Sequence, residues 1–391
     1  MTAHAHPHAP TTRTDDVHRA LSGVLDPEIQ RPITDLGMVK DVTVDADGTV
    51  TVVIRLTVAG CPLRDRITAD VTTAVAALHG VRSVRVELDV MTDEQRTELR
   101  RRLRGDSGEP VVPFRRPGSL TRIYGVASGK GGVGKSSVTV NLAAALAARG
   151  LSVGVVDADI HGHSVPRLLG VTASPTQVEK MIMPPRAGGV KVISIGMFTP
   201  GNAPVVWRGP MLHRALEQFL TDVYWGDLDI LLLDLPPGTG DIAISVAQLL
   251  PHAEILVVTT PQAAAAEVAE RAGAIAVQTR QRVAGVIENM AGMRLPDGST
   301  MDVFGSGGGR RVADSLSRAV GAGVPLLGQI PLDPLLREAG DAGTPLVLRN
   351  PQAPAATALQ AVAEKLVVRP RTLAGCRIPV GLSPTPKPTG T

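Results

Sequence analysis

The sequence predicts an α/β protein, with a doubly wound, mostly parallel-sheet domain preceded by a small α+β domain. Three observations carry this. From residue 123 onward, short continuous apolar runs alternate with helical segments, as expected of parallel strands buried on both faces and joined by crossover helices. Before residue 93, apolar and polar residues alternate singly, and Asp47-Gly48 marks a hairpin. Between these regions, Arg100, Arg101, Arg102, Arg104, Arg115, Arg116 and Arg122 crowd a stretch broken by glycine and proline.

In the first region a helix carries Val17, Leu21 and Val24, and strands follow over 42–44 and 50–54. A helix is expected over 62–79, with Pro62 in its first turn, where an N–H has no helical partner to lose. A further strand covers 84–88. The small α+β domain is thus placed at 14–92. Residues 1–13, with His4, His6 and His8, read as a disordered tail. Residues 93–122 read as an Arg-rich helix end and linker, either simply solvated or touching an anionic partner. The larger domain is placed at 123–368, with strands over 124–127, 153–156, 192–195, 230–233, 255–258, 283–287 and 326–330. Residues 369–391 hold five prolines and no apolar period, and read as a second disordered tail.

Composition limits the function classes. The chain has 391 residues, 43% of them hydrophobic, enough for packed cores. No run reaches the roughly 18 apolar residues that span a bilayer, and the N-terminus is polar rather than signal-like. A soluble, cytoplasmic protein with no membrane partner is expected. Net charge is +3 and aromatics are 2% of the chain, so no nucleic-acid partner is expected. The two cysteines, Cys61 and Cys376, exclude a disulfide scaffold and a four-cysteine metal site within one chain. Only seven of the 40 basic residues are lysines, yet Lys130 and Lys135 share one glycine-rich loop.

That loop, Gly129-Lys130-Gly131-Gly132-Val133-Gly134-Lys135-Ser136, fits G-x-x-x-x-G-K-[ST] throughout. It follows an expected strand and opens an expected helix, which stops at Gly150. Glycines let several backbone N–H groups converge on a phosphate, and the helix adds its positive end. Lys135 suits the β- and γ-phosphates, and the Ser136 hydroxyl suits Mg²⁺. The candidate ATP-binding residues are Gly129, Lys130, Gly131, Gly132, Val133, Gly134, Lys135, Ser136 and Ser137. Asp157 and Asp159 follow one apolar strand and Asp234 ends another, at the edge where open α/β sheets bind ligands. A lone strand-end aspartate is otherwise a helix cap.

Lys130 makes the loop K-G-G-x-G-K-S, which resembles the deviant Walker A loop of MinD/ParA/ArsA-type ATPases. The resemblance implies a homodimer in which Lys130 reaches the partner's phosphates. It further implies that Asp159 orients the attacking water, that Asp157 and Asp234 serve Mg²⁺ partly through water, and that the Gly238 N–H senses the γ-phosphate. Lys130, Lys135 and Asp159 are therefore the catalytic candidates. Asn289 resembles an adenine-contacting asparagine, with a turn asparagine as the competing reading. The runs Asp157-Ala158-Asp159-Ile160-His161-Gly162-His163-Ser164, Trp207-Arg208-Gly209-Pro210-Met211, Asp234-Leu235-Pro236-Pro237-Gly238-Thr239-Gly240-Asp241, Glu288-Asn289-Met290 and Phe304-Gly305-Ser306-Gly307-Gly308 are similar to the Mrp/ApbC family of iron–sulphur cluster carrier ATPases. Asp26-Pro27-Glu28, Asp35-Leu36-Gly37 and Thr57-Val58-Ala59-Gly60-Cys61-Pro62 resemble the PaaD-like domain that often precedes that ATPase.

The implied activity is slow, Mg²⁺-dependent ATP hydrolysis coupled to transfer of a [4Fe–4S] cluster to apoprotein clients. One departure stands out. The family's Cys-x-x-Cys after the Asn-Met is missing, and residues 291–302 contain no cysteine, histidine or glutamate. Cys61 remains as a candidate iron ligand, since a helix N-terminus favours thiolate; its other reading is a small buried hydrophobe. The alternative function is a metal-free, ParA/MinD-like dimerisation switch acting on a protein partner.

Overall fold

The structure is a computed structural model that describes residues 12–57, 63–104, 112–116, 118–159, 162, 164–178, 181–198, 209–238, 241–262, 278–279 and 281–368. The small domain runs α1 (Thr14–Leu21), β1 (Val39–Val44), β2 (Thr49–Leu56), α2 (Arg64–Ala76), β3 (Ser83–Val90) and α3 (Asp93–Arg104). β1 and β2 form the expected antiparallel hairpin, with Gly48 at φ 85° in its turn. β3 lies parallel to β2, which requires the crossover that α2 supplies. Along β2, Val50, Val52, Ile54 and Leu56 point inward against Val17 and Leu21 of α1 and Ile67, Val71 and Val75 of α2.

Several boundaries differ from the sequence reading. Val24 lies just beyond α1 but stays buried. α2 ends at Ala76 rather than at residue 79, and Pro62 lies outside the described residues. Thr12 and Arg13, expected in a tail, are placed: the Thr12 hydroxyl donates to the His79 carbonyl at 2.6 Å and Arg13 is the N-cap residue of α1. The Arg-rich stretch opens with a complete helix, α3. Leu99 on α3 is 1% exposed and sits in the small domain's core, while Arg101 and Arg102 pair with Glu98 at the surface. One apolar residue per few turns is enough to dock a helix whose other faces are charged, so the arginines hid it. Residues 1–11, 105–111 and 369–391 lie outside the described residues.

The larger domain begins with β4 (Arg122–Ser128), α4 (Lys135–Ala147), β5 (Val153–Asp157), α5 (Val165–Leu168), β6 (Thr176–Val178), β7 (Met181–Met183), β8 (Arg186–Ala187) and β9 (Val190–Ser194). It continues with α6 (Gly209–Thr221), β10 (Ile230–Asp234), α7 (Asp241–Leu249), β11 (Glu254–Thr259), β12 (Val283–Ala291), β13 (Met293–Arg294) and β14 (Thr300–Met301). It closes with α8 (Gly308–Val320), β15 (Leu326–Pro331), α9 (Pro334–Asp341), α10 (Leu346–Arg349) and α11 (Pro354–Val368).

Eight strands form one sheet in the order β15-β12-β11-β4-β10-β5-β9-β8. Every neighbouring pair is parallel except β8 and β9. The chain leaves β4 for β5, later inserts β10 between them, and then places β11 on the other side of β4. This reversal opens a crevice at the carboxyl ends of the central strands. Alternate residues of each strand feed two cores. Tyr124, Val126, Val155, Leu232 and Leu256 face α4 and α11, while Ile123, Ala127, Val156, Leu233 and Val257 face α6, α7 and α8. Both faces are covered, hence the continuous apolar runs in the sequence. α4 ends as expected. Gly150 is left-handed at φ 82°, its N–H reaches the Ala147 carbonyl at 2.9 Å, and the Leu151 N–H reaches Leu146 at 3.4 Å.

The β6–β7 hairpin carries Val178, Met181 and Met183 into the same buried cluster as the small domain's core, together with Tyr224. At its edge the Thr176 hydroxyl lies 3.0 and 3.1 Å from the two Glu28 carboxylate oxygens. Burial pushes the Glu28 carboxyl up from 4.5 to about 7; the Thr176 bond pulls it down and the Asp26 charge adds to the rise. The folded state therefore holds this proton across a pH range in which the unfolded chain releases it. Glu28 costs nothing below pH 4.5; its penalty grows from pH 4.5 to about 7 and is level above that. Glu28→Gln is expected to match wild type in urea denaturation at pH 4.5 and to be more stable at pH 8. An equal difference at both pH values would contradict the burial argument.

Candidate functional site

The glycine-rich loop joins β4 to α4 at the carboxyl edge of the sheet, with Gly132 and Gly134 left-handed at φ 80° and 78°. Gly134 has a second constraint. A Cβ there would lie 2.3 Å from the Asn289 Nδ2, so no larger residue fits without moving Asn289. Asn289 on β12 is 2% exposed and donates to the Val133 carbonyl at 2.9 Å. It is a strand residue beneath the loop rather than a turn asparagine.

Behind the loop, strand register brings the acids together. Asp234 at the end of β10 pairs in register with Asp157 at the end of β5, which pairs with Ser194 at the end of β9. Asp157 and Asp234 expose no surface, and Lys135 in the first turn of α4 is 6% exposed. The Lys135 Nζ lies 2.7 Å from Asp234 and 3.8 Å from Asp159. The Ser136 hydroxyl donates to Asp234 at 2.5 Å, and the Thr139 hydroxyl donates to the other Asp234 oxygen at 2.8 Å. Asp157 accepts from the Ser194 hydroxyl at 3.1 Å, the Asp159 N–H at 3.2 Å and the Val165 N–H at 3.3 Å. Asp159 accepts from the Gly162 N–H at 3.1 Å.

Asp234 and Asp159 thus flank one ammonium, and Asp157 is buried in register beside Asp234. Burial, and then the charge of Asp234, push the Asp157 carboxyl up to about 7, while Lys135 and Ser194 pull it down. The site carries surplus negative charge and presents only hard oxygen donors, a hydroxyl and carboxylates. Among the described residues no three His, Cys, Asp or Glu form a self-sufficient metal cage. Mg²⁺ does not require one, since it binds through one or two carboxylates plus water and substrate phosphates. Ser136, Asp157 and Asp234 fit such an ion.

The remaining expected residues fall around this centre. Gly129, Gly131 and Gly132 line the loop, Val133 is buried beneath it, and Ser137 is half-buried in the first turn of α4. Lys130 is held differently from Lys135: its ammonium donates to the Gln262 Oε1 at 2.9 Å, just beyond β11. The Gly238 N–H, expected to face a phosphate, instead donates to the Ser128 carbonyl at 2.8 Å. Ile160, His161, His163, Thr239 and Gly240 lie outside the described residues, as do Cys61 and Cys376. Residues 291–302 form a tight turn in which β13 and β14 pair Met293 with Met301. These thioethers are poor iron ligands.

Thr139, Ser194 and Gln262 were missed. Thr139 is one turn after Lys135, a spacing that places both on one helix face and marks it as a candidate. Ser194 ends an apolar run just as Asp157 and Asp234 do. Gln262 carries no sequence signal.

Comparison with known proteins places the chain. The family described as NUBPL iron-transfer P-loop NTPase matches residues 119–367, and the one described as iron–sulphur cluster assembly protein matches residues 14–88. A relative from Mycobacterium tuberculosis H37Rv, named iron–sulphur cluster carrier protein, is 68% identical over 369 residues, covering 94% of this chain and 96% of that protein. One of the same name from Synechocystis is 40% identical, covering 90% and 96%. Among solved structures, a nucleotide-binding protein from Archaeoglobus fulgidus in complex with ADP is 36% identical, covering 57% of this chain and 86% of that one, with a TM-score of 0.49. With a glycine loop, a buried lysine and strand-end acids in one place, and a family match over most of its length, this chain belongs to the NUBPL iron-transfer P-loop NTPase family.

Proposed function

We propose that this protein is an ATP-binding iron–sulphur cluster carrier that hydrolyses ATP slowly and passes clusters to apoproteins. One observation supports the nucleotide half above others: Lys135 lies among Asp159, Asp234 and Ser136 directly behind a loop of left-handed glycines. The cargo half is supported by the names of the relatives and by the two family matches.

In this reading the N–H groups of Gly129, Gly131, Gly132, Val133 and Gly134 receive the phosphates, and Lys135 leaves Asp234 to meet the β- and γ-oxygens. Ser136, Asp157 and Asp234 would hold Mg²⁺, partly through water, and the ion would supply positive charge to the phosphate oxygens. Asp159 orients the attacking water, whose oxygen bonds to the γ-phosphorus as the bond to the bridging oxygen breaks; ADP leaves with the bridging oxygen, and the water's proton passes to the phosphate released. Asn289 supports the loop and stands at the adenine side. Lys130 exchanges Gln262 for the phosphates of a second copy in a nucleotide-bound homodimer. The cluster is cargo. The loop after β12 offers it no thiolate, so Cys61, a small thiol or a client cysteine must supply ligands. The same lack of thiols favours a second reading, a metal-free dimerisation switch acting on a protein partner.

Lys135→Ala is expected to lower ATP affinity by about 100-fold or more, because a charge-assisted contact to phosphate disappears; calorimetric affinity equal to wild type would remove the assignment. Lys130→Ala is expected to bind one nucleotide per subunit yet remain monomeric in ATP by sedimentation, and an active dimer would show that Lys130 does not work across an interface. Asp159→Ala is expected to keep Mg²⁺-dependent affinity but lose turnover, whereas Asp234→Ala loses the Mg²⁺ dependence. Identical defects would merge the two roles. Iron and sulphide after anaerobic reconstitution decide between carrier and switch. Iron that falls in Cys61→Ser but not in Cys376→Ser supports the carrier with Cys61 as ligand. No iron in any preparation, with hydrolysis intact, supports the switch.

A further inference from the structure

Ser194 is a fully buried hydroxyl that none of the nucleotide-site assignments uses. It ends β9 in register with Asp157, which is in register with Asp234, so three polar side chains stand in a row across adjacent strands. Its hydrogen bonds fix its orientation. The Gly196 N–H donates to the Ser194 Oγ at 3.3 Å, which occupies an acceptor position and leaves the hydroxyl proton for Asp157, 3.1 Å away. The other donors to Asp157 are the backbone N–H groups of Asp159 and Val165, which belong to the segment leading from the strand into α5. Ser194 is the only side-chain hydrogen-bond donor to Asp157 among the described residues, and it comes from a rigid strand rather than from that connecting segment.

Asp157 needs such support. It is buried beside the charge of Asp234, and a carboxylate repelled by its neighbour turns away unless donors hold it. We propose that Ser194 is a positioning residue of the nucleotide site, holding the Asp157 carboxylate in the rotamer that serves Mg²⁺. This rests on the reading of Asp157 as a Mg²⁺ carboxylate. The same row explains why a hydroxyl residue ends β9: an apolar one would leave a buried carboxylate one donor short.

Equilibrium ATP affinity, measured by calorimetry with and without Mg²⁺, tests this without relying on turnover. Ser194→Ala is expected to leave Mg²⁺-free affinity within about twofold of wild type and to reduce the Mg²⁺-dependent gain by about fivefold, the scale of a charge-assisted hydrogen bond acting indirectly. Ser194→Cys keeps a donor, weaker and on a slightly larger side chain, and is expected to fall between the two; it carries the test if the alanine variant does not fold. Asp157→Asn is the reference. If it loses the Mg²⁺-dependent gain while both Ser194 variants keep it, Ser194 is merely structural and the proposal is overturned, even if their melting temperatures drop. If Asp157→Asn itself keeps the gain, the reading of Asp157 fails, and the Ser194 proposal falls with it.

Discussion

The ion pair between Lys135 and Asp234, 2.7 Å apart and almost wholly excluded from solvent, is the contact around which the site is arranged. A buried charge is tolerable only when paired and hydrogen-bonded. Asp234 is satisfied three ways, by Lys135, Ser136 and Thr139. Its neighbours are not balanced: Asp159 lies 3.8 Å from the same ammonium, and Asp157 has no ion-pair partner within 4 Å among the described residues. Carboxylates outnumber cations in this buried cluster, and a Mg²⁺ ion would supply the positive charge it lacks. When Lys135 turns to phosphate, the positive charge that Asp234 loses has to be replaced, which is the physical reason to expect metal and nucleotide to bind together.

The sheet makes this possible. Parallel strands in register bring Ser194, Asp157 and Asp234 to one edge without any of them being close in sequence. Two apolar layers pin the strands, and the register cannot slip by one residue without turning core side chains to the wrong face. Small residues allow close approach where it is needed. A Cβ on Gly154 in β5 would lie 2.8 Å from both Trp225 and Leu228.

Much of this was legible in the sequence. The parallel strands were readable because burial on both faces leaves continuous apolar runs. The glycine loop was readable because its chemistry demands fixed residue types at fixed spacing. Other features were not. The two-residue β8 and the β6–β7 hairpin are too short to show periodicity, yet the hairpin carries Val178, Met181 and Met183 to the small domain. α3 was masked by its arginines, with Leu99 as its buried residue. Ser194, Thr139 and Gln262 are common residue types whose importance comes from what lies beside them in space. The absence of thiols after β12 was also plain, and the structure adds only that a compact hairpin fills that stretch.

The proposed nucleotide site needs a cation to complete its charge balance. The most direct test is the thermal midpoint of the full chain with ATP and Mg²⁺, with ATP in a chelator, and with Mg²⁺ alone. A ligand that binds the folded state raises stability by about 2.7 kcal/mol at 100 times its Kd. ATP and Mg²⁺ together are expected to raise the midpoint by more than the sum of their separate shifts. A shift with ATP that is the same with and without Mg²⁺ would contradict it.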